Sequence, residues 1–293
     1  PVAQAALRSG FHVMSDKPAT LDLEEALRLR RLVAETGLLY GLTHTYTGYP
    51  MVKEARARIA GGALGAVRKI VVEYRQGWLA QREETSGNKQ AAWRLDPAQA
   101  GISGCMGDIG VHAAQLAEYV TGLEIRELCA DLTAFVDGRT LDDDGSVLLR
   151  FEQGAKGLLQ ASQICVGEEN ALTLRVYGER GGLEWSQQEA NTLWLKWPDK
   201  STEMLRAGGS YLGELAQLNI RTPMGHPEGY LEAFANLYTA FAGQVRAYEA
   251  GVAPDKRSAD CPGIKEAVRG MAFIELVVAA SNSDTKWHRF EQH

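Results

Sequence analysis

Cysteine is scarce in this chain: four residues in 293, at positions 105, 129, 165 and 261, with no C-x-x-C pair among them. That spacing excludes a disulfide-stapled secreted scaffold and offers no paired-cysteine metal site. A reducing, cytoplasmic setting is the expectation. Runs of basic residues are also missing and the net charge is −6, which disfavours a nucleic-acid groove or an anionic membrane surface as partner. The longest apolar stretch near the end, Met271 to Ala280, is interrupted by Glu275 and is too short to span a bilayer. No signal peptide, internal repeat or low-complexity tract is found. What remains, 45% hydrophobic and 23% charged residues, is the composition of a globular protein, long enough for a substantial core and for two domains.

Read in order, residues 3 to 9 have a helical pattern closed by Gly10, and Phe11 to Ser15 form a short apolar strand ending at Asp16-Lys17-Pro18. Thr20 is expected to cap the next helix, whose apolar side carries Leu23, Leu27 and Val33 and which Gly37 ends. Leu38 to Thr43 follows as a second strand. The alternation implies a parallel sheet with covering helices, and in such sheets ligands gather at the carboxyl ends of the strands. Here those ends carry Asp16 and Lys17 on one strand and Thr43, His44 and Tyr46 on the next. Pro50 opens a further amphipathic helix. From Val67 the pattern changes to seven strand candidates, 67–74, 124–135, 146–151, 157–164, 171–177, 182–185 and 192–197, with turn signals between them. Such a run predicts a large, open, mostly antiparallel sheet covered by helices. Residues 230–248 and 264–280 close the chain as two helices.

The fold class expected is therefore α/β plus α+β: the remnant of a Rossmann-type parallel sheet in residues 1–47, then an open sheet in residues 48–293. The opening PVAQAALRSG reads as the last turns of a helix, so the chain is expected to be the downstream part of a longer protein.

The stretch GISGCMGDIGVHAAQL, residues 101–116, sets an acid and a histidine four residues apart behind a series of glycines. If Gly107 opens a helix, Asp108 and His112 share one face, about 5 to 6 Å apart at Cβ. A carboxylate so placed can orient an imidazole for proton transfer near neutral pH. The plainer alternative is a carboxylate meeting the helix dipole beside a packing histidine. Lys17 before Pro18 sits on a stiff, extended strand end, either as a working ammonium or as an exposed lysine at a turn. The irregular segment 76–100 offers Trp78, Trp93 and Arg94 as pocket-lining groups, or as residues that pack the segment down. His226, in the turn-rich PMGHPEGY, could reach a ligand.

The sequence S-D-K-P after an α-β unit, then T-H-T-Y after the next strand, then W-R-x-D, then G-D-I-G-V-H, resembles the glucose-fructose oxidoreductase and inositol dehydrogenase family, Gfo/Idh/MocA. The likeness spans essentially the whole chain. It implies an NAD- or NADP-dependent dehydrogenase of sugars, polyols or related compounds, working as a homodimer or homotetramer through the open sheet. Asp16-Lys17-Pro18 corresponds to the family's E-K-P, and Asp108 and His112 match its D-x-x-x-H helix. The resemblance implies Lys17, Asp108 and His112 as the catalytic group. Residues expected near the cofactor are Asp16, Lys17, Pro18, His44, Trp93 and Arg94; those expected near the substrate are Lys17, Tyr46, Trp78, Arg94, Asp108, His112 and His226. No metal ligand set is expected. One departure is large: the G-x-G-x-x-G turn that cradles the pyrophosphate has no counterpart in these residues. Two rival readings follow, a sugar-binding or assembly subunit without cofactor affinity, and a metal-dependent isomerase or lyase using Asp108, His112 and His44.

Overall fold

A computed structural model describes residues 2–291. Helix α1 (Val2–Arg8) leads into β1 (Val13–Ser15), α2 (Leu23–Thr36) and β2 (Tyr40–Leu42), and β1 pairs with β2 in parallel. Helix α2 starts later than Thr20 predicts. Asp22 is its cap, accepting from the Glu25 amide at 2.7 Å, while Thr20 Oγ1 donates to the Asp22 carbonyl at 2.8 Å. A carboxylate directly before the first turn satisfies the free amides there and meets the dipole, so it displaces a threonine two residues upstream. Gly37 ends the helix at φ 66°, where a side chain would be strained. The apolar sides of these elements meet in a small core of Leu7, Leu29, Leu32, Tyr40 and Leu42, which Ala267, from far along the chain, completes.

After a tight 3-10 turn at Thr45–Gly48 come α3 (Pro50–Ala60) and β3 (Val67–Arg75). The irregular segment that follows is more regular than its sequence suggests, for it contains α4 (Lys89–Arg94) and α5 (Pro97–Ala100), capped by Asn88 and Asp96. Helix α6 (Val111–Thr121) precedes β4 (Ile125–Thr133), β5 (Asp144–Phe151), β6 (Lys156–Ser162), β7 (Ala171–Gly178), β8 (Gly182–Ser186), β9 (Thr192–Lys196) and β10 (Glu203–Arg206). The seven strand candidates are all present, and β10 joins them. The chain closes with α7 (Glu214–Leu218), α8 (Tyr230–Glu249), α9 (Lys256–Ala259), α10 (Ile264–Ser281) and a short β11 (His288–Arg289).

The large sheet has the order β10-β9-β8-β7-β3-β6-β5-β4-β11. Its neighbours are antiparallel except at the centre, where β3 and β6 run parallel, because the chain leaves the sheet after β3, rejoins it at β4 beyond β5, and comes back through β5 to lay β6 beside β3. Strand alternation sorts the side chains by face. Leu205, Leu193, Trp185, Leu174, Val72, Leu159 and Val147 lie in register across one face, and all are buried. Helices α3, α6 and α10 pack against that side. The opposite face carries Met204, Trp194, Glu184, Arg175, Val71, Leu158 and Leu148 in one lateral row, and Met204, Trp194 and Leu148 in it are exposed. Helix α10 also packs on α2 and β2, so one rigid element ties the small sheet to the large one. No helix among the described residues is long and apolar enough to cross a membrane.

Candidate active site

Asp108 and His112 are brought to the surface of the sheet by an unusual helix start. Residues Met106–Gly110 form a single π turn, after which α6 proper begins. The wider turn brings Gly110 so close to Met106 that a Cβ there would lie 2.4 Å from the Met106 sulfur. The buried Asp142 fastens the start of this turn, accepting from the amides of Gly104 at 2.9 Å and Met106 at 2.8 Å. Such single π turns inside helices are frequent at functional sites.

The expected pairing of Asp108 with His112 is not what the geometry shows. The Asp108 carboxylate accepts from Lys17 Nζ at 3.0 Å, Arg94 Nε at 3.1 Å and Gln163 Nε2 at 2.9 Å. Among the described residues no hydrogen bond joins it to His112. Lys17 also donates to the Asp108 backbone carbonyl. Burial resists ionisation of Asp108, but the Lys17 and Arg94 charges outweigh it and hold the carboxyl below its ordinary range. The acid therefore remains an anion and locks two cations from other segments: β1's end supplies Lys17, and α4 supplies Arg94.

His112 is held by rings instead. Its imidazole stands edge-on to His44, centroids 5.5 Å apart at 81°, and to Tyr46, at 5.0 Å and 85°. Burial first, then the Lys17 ammonium, hold it well below the ordinary histidine range. It is therefore neutral at pH 7. His44, expected at the ligand, is a correction: it is only 1% exposed, does not line the cleft, and neither ring nitrogen has a partner. The strand end here turns directly into the 3-10 turn that packs against α8, which folds the imidazole inward. Burial, then Lys17, lower its pKa to about 3.

Lys17, Tyr46, Trp78, Trp93, Arg94, Asp108 and His112 all line one cleft of about 720 Å³, as does Asp16. An adjoining cavity of about 360 Å³ shares Asp16, Lys17, Trp93, Arg94 and Asp108 and adds Pro18, Leu21 and Gly107. His226 is the second correction. It is exposed on the loop before α8, its Nδ1 faces the Pro223 carbonyl at 3.2 Å, and it lines neither cavity. The turn residues around it direct the segment to solvent. Groups that the sequence did not signal include Tyr74, Gln76, Gln163 and Asn170. Tyr46 and Tyr74 share a hydroxyl hydrogen bond, and Asn170 Oδ1 accepts from Tyr74 at 2.7 Å and from Gln76 at 2.8 Å. Burial, opposed by its bonds to Tyr74 and Asn170, pushes Tyr46 up to about 12, so this floor is neutral. Among the described residues no group of three or more His, Cys, Asp or Glu could hold a metal ion.

Residues 52–184 match the family model described as the GFO/IDH/MocA C-terminal domain. An uncharacterized oxidoreductase of Bacillus subtilis is 29% identical over 292 residues, covering 99% of this chain and 74% of its own length. The inositol dehydrogenase homolog of Azotobacter vinelandii, solved with NAD+, is 33% identical with a TM-score of 0.92 over 99% of this chain and 75% of that one. Its complex with NADH and myo-inositol gives 32% identity and a TM-score of 0.89 over 99% and 74%. An oxidoreductase from Sinorhizobium meliloti is 40% identical, with a TM-score of 0.87 over 98% and 74%. The chain thus spans about three quarters of the length of these relatives. A small parallel sheet feeding an ammonium into a cleft built on a large mixed sheet, seen against these relatives, defines a nicotinamide-dependent oxidoreductase. The chain belongs to the GFO/IDH/MocA family.

The residues present fit the nicotinamide end of such a cofactor. The smaller cavity pairs a half-open indole, Trp93, and the apolar Pro18 and Leu21 with the Lys17–Asp108–Arg94 cluster, a flat apolar wall beside fixed charge.

Proposed function

We propose that this chain carries out reversible hydride transfer between NAD or NADP and a secondary alcohol of a cyclic sugar or polyol. The observation that carries the reading is that Lys17, from the small parallel sheet, and His112, from the helix on the large sheet, line one cleft with Asp108 between their segments. A relative solved with NADH and myo-inositol supports a cyclic polyol as the substrate type. When bound, the nicotinamide supplies the hydride acceptor. His112, neutral and desolvated, takes the hydroxyl proton as general base. Lys17 offers its remaining N–H toward the substrate oxygen and stabilises the developing alkoxide. Asp108 acts through Lys17 and Arg94, fixing both cations, and no longer as the group that orients the histidine. Asp16, Pro18, Trp93 and Arg94 would hold the nicotinamide end, and Tyr46 and Trp78 belong to the substrate wall.

Residues 1–47 are read as the cofactor side and 48–293 as the substrate and assembly side. The open face of the large sheet supports a homodimer or homotetramer, since so wide an uncovered face is rarely left to water. Four unpaired cysteines support a cytoplasmic setting.

His112→Ala should lower turnover by about two to four orders of magnitude, the range usual for an acid-base group, with nicotinamide affinity unchanged in a fluorescence titration with NADH. Turnover equal to the parent would remove His112 from the mechanism. Absence of saturable binding for both NADH and NADPH would count against the cofactor role of this chain.

A further inference from the structure

The cleft is large and most of its lining is uncharged. Its volume of about 720 Å³ has to take the nicotinamide end as well as the ring that is oxidised, and falls in the upper half of the range, about 300–1,000 Å³, that holds drug-sized ligands. Four of its lining side chains are charged, Asp16, Lys17, Arg94 and Asp108, and three of these are joined by the ion pairs at Asp108. Asp16 is engaged as well, accepting from the Lys17 amide at 2.8 Å and from Thr43. Apart from Thr45 and Ile109 the rest of the lining is amide and ring, including Asn170, Gln187, Trp78, Tyr230 and Phe234.

Two rings on α8 begin a track that leaves the cleft. Tyr230 and Phe234 stand edge to face at 4.9 Å, and Phe234 stacks with Tyr238 at 6.1 Å, at i, i+4 and i+8. Packing within the helix accounts for the contacts between the rings. It does not account for Tyr230 being 49% and Tyr238 54% exposed, because an apolar surface continuous with a cleft is a surface for something to cover. A phosphate ester would be poorly served there. Both cations in the lining are paired with Asp108, Lys17 keeps only the N–H it offers to the reacting oxygen, and a doubly charged group would need desolvation against little remaining counter-charge. An uncharged ring with hydroxyls suits the same walls, stacking an apolar face on the aromatic side chains while amides such as Gln187 and Asn170 take its polar edge.

We propose that, beyond the ring that is oxidised, the cleft binds a second uncharged ring against Tyr230 and Phe234, so that the substrate class is a disaccharide or a glycoside with a cyclic aglycone, not a sugar phosphate or nucleotide sugar. The inference rests on the dehydrogenase reading for the first ring, but its test measures binding and is read without turnover.

Isothermal titration of the full chain would compare glucose, galactose and mannose with the phenyl glycoside and the 6-phosphate of each. The expected result is that at least one phenyl glycoside binds about tenfold more tightly than its parent sugar, that Tyr230→Ala abolishes this advantage, and that Tyr230→Phe, which keeps the ring, retains it. Circular dichroism of the variants verifies the fold. Equal affinity across every pair, a preference for the phosphate ester, or an advantage that survives Tyr230→Ala would overturn the proposal. So would a Tyr230→Ala protein whose assembly mass falls while its glycoside affinity stands, since the track would then be a subunit contact. Glycoside binding without oxidation of any sugar would leave the second-ring site in place and sink the dehydrogenase reading instead.

Discussion

At the residue scale the most informative side chain is one with no partner. His44 is buried with both ring nitrogens unbonded, which costs free energy that a phenyl ring would not. Its pKa of about 3 lies below the ordinary histidine value of about 6.5 in an unfolded chain. As pH falls below the higher value, the unfolded chain gains a proton that the folded chain refuses, so stability is lost on acidification from about pH 6.5 toward about 3. His112, depressed for the same reasons, adds to the fall in the same direction. Each histidine should contribute roughly 1 kcal/mol per pH unit. Urea midpoints at pH 7 and pH 5 should show a fall that His44→Phe reduces by about half. A parent and variant with the same pH dependence would show that His44 does titrate in the folded state. Lys17, Asp108 and His112 were legible as candidates because their signals are local: a proline after the lysine, a four-residue spacing on a helix. The burial of His44 is not local, since a strand end looks the same whether the next turn faces solvent or a helix.

At the element scale the site depends on how α6 begins. The glycines suggest a regular α-helix that opens at Gly107, and the π turn at 106–110 replaces that start because Asp142, from the loop before β5, draws the Gly104 and Met106 amides to itself. Asp142→Ala leaves two buried amides unsatisfied and should cost about 1–3 kcal/mol. Because the turn carries Asp108 and leads into the helix of His112, activity should fall more than unfolding alone explains. The check is a melting curve beside turnover measured well below the transition. Full activity at a temperature where the variant is folded would show that the turn tolerates rearrangement. No spacing in residues 101–116 points to Asp142, 34 positions after Asp108, which is why the sequence was silent on it. The same holds for Gln163 and Asn170, whose strand-end positions resemble those of other polar strand residues.

At the scale of the whole molecule, the exposed face of the large sheet carries the proposal that the chain assembles into a dimer or tetramer. The exposed row through Met204, Trp194 and Leu148 would leave apolar surface open in an isolated chain. Light scattering after gel filtration should give a dimer or tetramer, and the double variant Leu148→Glu with Trp194→Glu should shift it toward the monomer, since like charges buried across a symmetric contact repel. An unchanged mass would place the contact elsewhere. The cleft itself is a whole-molecule property: α10 packs on both sheets, and this rigid link holds Lys17 at 3.0 Å from Asp108 although 91 positions separate them.

The amino-acid sequence alone determined most of the elements and their types, because helix and strand are set by periods of a few residues and by end signals such as Gly37 and Pro50. It also determined which side chains carry reactive groups, since residue types and short spacings are properties of the string. Tertiary structure decided the partners: that Asp108 binds Lys17 and Arg94 and not His112, that His44 is sealed in and His226 left out, and that β3 lies parallel to β6. Those outcomes depend on which distant segments share a face. Such choices follow from burying one side of a nine-stranded sheet as a unit, a condition that no local stretch of the chain contains.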